Sequence, residues 1–161
     1  MPILHSRFGG EGVNPQGETI QYNPKAILES RGPVVQVSLS LAEPLAEQLL
    51  LKGEMIPEPI AGFALIDTGA SSTCIDEVTA QKLGLPVVDR IKIASASHDA
   101  MEMNAYPTMI SFISAPIKIN ATRAIGVNLN NQGIIVLLGR DMLRKFIMFY
   151  NGPSGELTIS L

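Results

Sequence analysis

At 161 residues, with 46% apolar and 17% charged side chains, the chain is long enough to bury an ordinary core as a single domain without disulfides or structural metal. A formal charge of −3, with acids and bases interspersed, supplies no basic face and argues against nucleic acid and against a polybasic membrane anchor. No apolar run approaches the roughly eighteen residues of a membrane span, Met1-Pro2-Ile3-Leu4-His5 lacks a signal peptide's basic start, and the lone Cys74 with His5 and His98 offers no metal-ligand spacing. The expectation is a cytoplasmic protein with no membrane partner and no metal.

Residues 1–31 are rich in Gly, Asn, Pro and Gln, and their apolar residues keep no period, so they read as an irregular arm preceding a domain over 32–161. From Pro33 to Leu41, Val35, Val37, Leu39 and Leu41 alternate with smaller or polar residues, the pattern of a half-buried strand. Glu43 to Gly53 has proline near its start and glycine at its end, which predicts a short helix. The prolines of Met55 to Pro59 make a loop leading into the apolar run Phe63-Ala64-Leu65-Ile66.

That run ends in Asp67-Thr68-Gly69 and resumes as Thr73-Cys74-Ile75, two strands with a polar loop pinched between them. Asp76 is then suited to cap a helix from Glu77 to Leu83, closed by Gly84. Ile91 to Ala94 and Met101 to Asn104 flank the small and polar stretch Ser95 to Ala100, which predicts a hairpin. Strands follow over 108–113, 117–119, 124–128 and 134–138, then a helical turn over 142–145 and a last hairpin, 146–150 with 157–161, about Asn151-Gly152-Pro153-Ser154-Gly155. Many short strands with two or three short helices predict a mainly β, barrel-like domain.

Taken alone, an aspartate at a strand-to-strand turn hydrogen-bonds its own backbone more often than it catalyses. Here, however, Ala64-Leu65-Ile66-Asp67-Thr68-Gly69-Ala70 is joined by Val136-Leu137-Leu138-Gly139-Arg140-Asp141-Met142-Leu143 late in the chain. Together these resemble the two signatures of retropepsin-like aspartic proteases, with the cellular and bacterial members nearer than the minimal retroviral ones. The resemblance covers roughly Pro33 to Leu161 and implies a closed acid-protease barrel, one lobe per chain. It also implies peptide or protein substrates, attacked by an activated water without metal or organic cofactor.

Peptide hydrolysis by carboxylates needs one group to take a proton from water and another to give one to the carbonyl oxygen. Two carboxyls at close range share a proton, because like charges that close cannot both ionise. The chain has a single Asp-Thr-Gly, and Gly139-Arg140-Asp141 is no second copy, since its aspartate follows the glycine. If the chain is an enzyme of this class, it is a homodimer with two Asp67 side chains meeting across a two-fold axis.

The resemblance assigns roles only to matching positions. Asp67 is the expected catalytic carboxylate, Thr68 a cross-dimer hydrogen-bonding residue and Gly69 the source of a backbone N–H near the carboxylates. Ala70, Ser71 and Ser72 continue into a cleft where an extended peptide pairs as an added strand. Ala96, Ser97, His98 and Asp99 occupy the flap that closes over substrate. Leu138, Gly139 and Arg140 support the catalytic loop, the glycine permitting close backbone approach.

Three features depart from the family pattern. The flap tip holds no glycine, and Ser71 stands where retroviral enzymes have an aspartate that pairs with the arginine. Ala70 lacks a hydroxyl that would favour charged carboxylates, so the pair is expected to work at less acidic pH than a pepsin-like site, with a rate maximum well above pH ~2. Arg140 is left with Asp141, Asp76 or backbone carbonyls as partners, and Asp141 reads as a helix cap.

Other residues have plainer readings. Cys74 reads as a buried inert thiol, His98 as an exposed turn residue, and Met101, Met103 and Met109 as core or cleft side chains. Tyr106-Pro107 reads as a strand start or edge. Two rival functions stand beside the protease. One is a catalytically silent dimeric β domain that binds extended peptides or serves as an assembly module; the other is a carboxylate hydrolase on another fold, using Asp76 or Asp141.

Overall fold

The alternation of β4 (Val34–Leu41) sets the architecture. Val35, Val37, Leu39 and Leu41 turn inward and are buried, while Gln36 faces solvent. In the computed structural model, which describes residues 1–95 and 98–161 and no side chain of 93–100, β4 pairs along one edge with β5 (Ile60–Ile66) and along the other with β8 (His98–Phe112).

This double pairing closes a barrel. Its remaining members are β6 (Cys74–Asp76), β9 (Lys118–Val127) and β10 (Val136–Leu138), in the order β4-β5-β10-β6-β9-β8 and back to β4. Closure leaves no free edge among these six strands. β7 (Asp89–Ser95) pairs with the first part of β8 as a hairpin arm. The expected mainly β, closed barrel is the observed fold.

Inside the barrel, Ala64 and Ile66, Ile75, Ile110, Ile119, Val136 and Leu138 join the β4 residues in one core. Each large aliphatic side chain buried this way contributes about 1.5–3 kcal/mol. Among the described residues four short α-helices cover the barrel: α1 (Pro24–Arg31), α2 (Glu43–Leu51), α3 (Glu77–Lys82) and α4 (Arg140–Leu143). α1 is the one that the sequence pattern does not predict. The side chain of Asp76 caps α3, accepting from the Thr79 N–H at 2.9 Å.

Several details differ from the pattern. Residues 1–31, expected to be irregular, hold β1 (Ile3–Arg7), β2 (Gly10–Val13), β3 (Thr19–Tyr22) and α1. β1 pairs with β12 (Glu156–Ser160), which also pairs with β11 (Ile147–Asn151), giving a three-stranded sheet β1-β12-β11. Leu4, Leu157 and Ile159 of this sheet and Leu28 of α1 are buried and join the main core. The partner strand of β1 lies at the other end of the sequence, so no local pattern announces it.

The strand pieces expected over 101–104 and 108–113 are one strand, β8, that runs through Pro107. Its register against β9 shifts between Tyr106 and Thr108, and a bulge is where a residue without an N–H is tolerated inside a sheet. Tyr106-Pro107 therefore marks a bulge and not a strand start. Met109 is buried, whereas Met101 is exposed and not in the core.

Candidate functional site

The Asp67 loop hangs between β5 and β6. Asp67 extends the pairing of β5 with β10, its N–H donating to the Leu138 carbonyl at 3.0 Å. Its Oδ1 accepts from the N–H of Gly69 at 2.8 Å and of Ala70 at 3.3 Å. One carboxylate oxygen is thereby fixed by main-chain donors of its own turn. Asp67 is half-buried, while Thr68, Gly69 and Ser71 are exposed and Ala70 and Ser72 half-buried.

The second motif grips this loop from beside it. A Cβ added at Gly139 would lie 2.5 Å from both the carbonyl carbon and the oxygen of Ser72 and 2.9 Å from its nitrogen, so the two backbones touch where only glycine fits. Main-chain bonds continue the contact, from Arg140 N–H to the Ala70 carbonyl at 3.0 Å and from Asp141 N–H to the Ser71 carbonyl at 3.2 Å. The Arg140 guanidinium reaches back and donates from Nη1 to the carbonyls of Thr68 and Gly69, each at 2.8 Å. Of the partners open to it in the sequence, it takes backbone carbonyls.

The sequence reading missed Thr73, which is fully buried. Its Oγ1 accepts from the Gly139 N–H at 3.1 Å and donates to Asp141 Oδ1 at 2.7 Å, tying the two motifs together. Asp141 Oδ1 also accepts from the Met142 N–H at 2.9 Å. Asp76 is 1% exposed and is held by Thr79 and by the Leu129 N–H at 3.2 Å. Both carboxylates thus have structural partners within the chain.

Met148 and Tyr150 of β11 were also missed. With Pro33, Ile66, Asp67 and Thr68 they line a cleft of about 330 Å³. Every residue from Ile147 to Tyr150 is exposed: Ile147 72%, Met148 40%, Phe149 62% and Tyr150 48%. Among the described residues β11 is an edge of its sheet, and this strand, apolar and exposed on both faces, adjoins the Asp67 turn.

Cys74 is half-buried beside the loop; burial pushes its thiol pKa up, and the carboxylates of Asp141 and Asp67 add to the rise. Ala96 and Ser97 lie outside the described residues, as do the side chains of His98 and Asp99. Among the described residues, no group of three His, Cys, Asp or Glu side chains is arranged to hold a metal ion. No helix among them is long and apolar enough to cross a membrane.

A closed β barrel whose Asp-Thr-Gly turn is braced by an apolar-apolar-Gly-Arg segment defines an aspartic-protease type of domain. The profile of the "gag-polyprotein putative aspartyl protease" family matches residues 61–145. The chain belongs to that retropepsin-like family. Among solved structures it is similar to a retropepsin-like aspartic protease from Rickettsia conorii, at 12% identity and a TM-score of 0.47 over 98% of this chain and 90% of that one. It is also similar to the retroviral protease-like domain of Ddi1 from Leishmania major, at 14% identity and a TM-score of 0.41 over 73% of this chain and 81% of that one. No curated protein matches it.

Proposed function

We propose that the chain is an aspartic endopeptidase active as a homodimer, in which a water held between two Asp67 carboxylates attacks the peptide carbonyl. The observation that carries this reading is the turn itself: one carboxylate, oriented by the N–H groups of Gly69 and Ala70, in a loop braced by Gly139 and Arg140. Such bracing fixes a group whose geometry matters. One carboxylate of the pair serves as base and the other, protonated, as acid toward the carbonyl oxygen.

The second carboxylate comes from a second copy, and β11 supplies the surface that copy covers. Its exposed apolar side chains adjoin the Asp67 cleft, and an unpaired apolar edge is a template for a further strand. Covering it brings Thr68 of each copy to the axis. Ala70, Ser71 and Ser72 then border a cleft for an extended peptide, and the β7–β8 hairpin serves as the flap. Domain limits of 32–161 for this unit are part of the proposal.

The test is cleavage of a peptide mixture by the purified chain, with Asp67→Asn as control and sedimentation equilibrium run on both proteins. Cleavage by a dimer and none by Asp67→Asn is the expected result. Activity surviving that substitution refutes the paired carboxylates, and full activity of a monomer refutes the dimer.

A further inference from the structure

Between the end of α1 and the turn that precedes β10 lies a second cavity, of about 380 Å³, lined by Ser30, Arg31, Val34, Leu65, Asn131, Gln132 and Ile134. Its floor continues the surface that carries Asp67. On β5, Ala64 and Ile66 point into the core, so Leu65 faces the opposite way and Asp67 follows it with the same parity. Leu65 stands beside Leu137, and Leu137 beside Cys74, giving a half-buried row across three neighbouring strands.

Gly32 ends α1 with φ +70° and its N–H on the Leu28 carbonyl, and a Cβ there would meet Leu65 Cδ1 at 2.7 Å. The chain thus turns directly over Leu65, which places Arg31 at that cavity. Arg31 is the one charged residue of the lining, and among the described residues it makes no ion pair.

Resting on the protease reading above, we propose that this cavity selects an acidic side chain of the substrate close to the scissile bond, with Arg31 as the specificity-determining residue. Leu65 and Asp67 are two residues apart on one strand face, about 6.6 Å along the strand. A peptide laid extended past Asp67 places a side chain flanking the cleaved bond over the Leu65 floor. Val34, Leu65 and Ile134 cover the aliphatic stem of a glutamate, and the guanidinium with the Asn131 and Gln132 amides meets its carboxylate. A lysine in the same place sets two cations together.

The experiment is cleavage of a proteome-derived peptide library by the full chain, with sites mapped by mass spectrometry, followed by matched Glu and Gln peptides. Acidic residues are expected to be enriched within two positions of the cut, with kcat/KM about two- to fivefold higher for Glu than for Gln, the range of an exposed ion pair. Arg31→Gln should abolish that difference, read as the ratio of Glu to Gln cleavage within the same variant. Arg31→Glu should turn it into a preference for Lys, a reversal that a helix-end or folding role of Arg31 would not produce. Cleavage without acidic enrichment, or enrichment that persists in Arg31→Gln, overturns this assignment alone. No cleavage by the unsubstituted chain overturns the protease reading and this assignment with it.

Discussion

Replacing Gly139 by alanine tests whether the close approach of the two motifs fixes the Asp67 turn. The added methyl would sit 2.5 Å from the Ser72 carbonyl carbon and oxygen, where ordinary contact begins at 3.4 Å, a deficit of about 0.9 Å (3.4 less 2.5). Nothing flexible stands there to yield, since both partners are backbone. The Arg140 and Asp141 N–H bonds to Ala70 and Ser71 hold the same pair of segments together. The loop must therefore move by most of that deficit.

Overpacking costs about 1–3 kcal/mol, and a clash between two backbones belongs at the upper end. For a chain of this length about 3 kcal/mol lowers Tm by roughly 6–12 °C. A shift near 1 Å in a reacting group costs about a hundredfold in rate. Calorimetry with kcat measured below the lowered Tm separates the two effects. Gly139→Ala retaining Tm within about 2 °C and full kcat would refute the argument.

Two further outcomes follow from other parts of the chain. Phe149→Glu places a charge on the bare face of β11, and in the proposed homodimer it should give a folded monomer, by sedimentation and circular dichroism, that cleaves nothing; an active dimer would remove β11 from the interface. Tyr106 has its phenol pKa raised above 10.0, first by burial and then by the Glu77 carboxylate that its hydroxyl meets at 2.6 Å. A raised folded-state pKa gives stability that is whole below pH 10 and lost as pH rises through the folded value. Urea unfolding between pH ~8 and ~11 should show a decline for the native chain that is smaller in Tyr106→Phe, and equal declines would refute the assignment.

What could be read from the sequence was what recurs at short range. β4 follows from the alternation of Val35, Val37, Leu39 and Leu41, and the α3 cap from Asp76 placed three residues before Thr79. The loop between β5 and β6 and its partner Gly139 were legible because two motifs, far apart in sequence, resemble the paired signatures of one family, and the glycine of the second has a steric reason. Thr73 was not legible. Its link to Asp141 joins residues 68 apart, and a buried threonine on a strand looks like any other β-branched residue. β1 was hidden the same way: its five residues bury Leu4 against a strand about 150 positions later, and only that pairing makes them a strand. β8 was read as two strands because Pro107 breaks the local pattern, while the bulge that accommodates it depends on β9.

These non-local parts have a common consequence for the proposed enzyme. β11, which carries the proposed dimer surface, is held in a sheet with β12 and β1, and Leu4, Leu157 and Ile159 anchor that sheet to the barrel core. The Asp67 turn is held separately, by β10 and α4 through Gly139, Arg140 and the Thr73–Asp141 bond. The proposed assembly and the carboxylate geometry thus depend on different contacts within one chain. In a two-fold dimer each contact occurs twice, so a displacement of the turn in one copy is mirrored in the other and the error in carboxylate separation is up to double the error in either chain. A site divided between two identical chains therefore demands tighter local bracing than a site whose two carboxylates can be adjusted independently. The glycine-on-backbone contact at Ser72 and the double carbonyl grip of Arg140 are bracing of that kind.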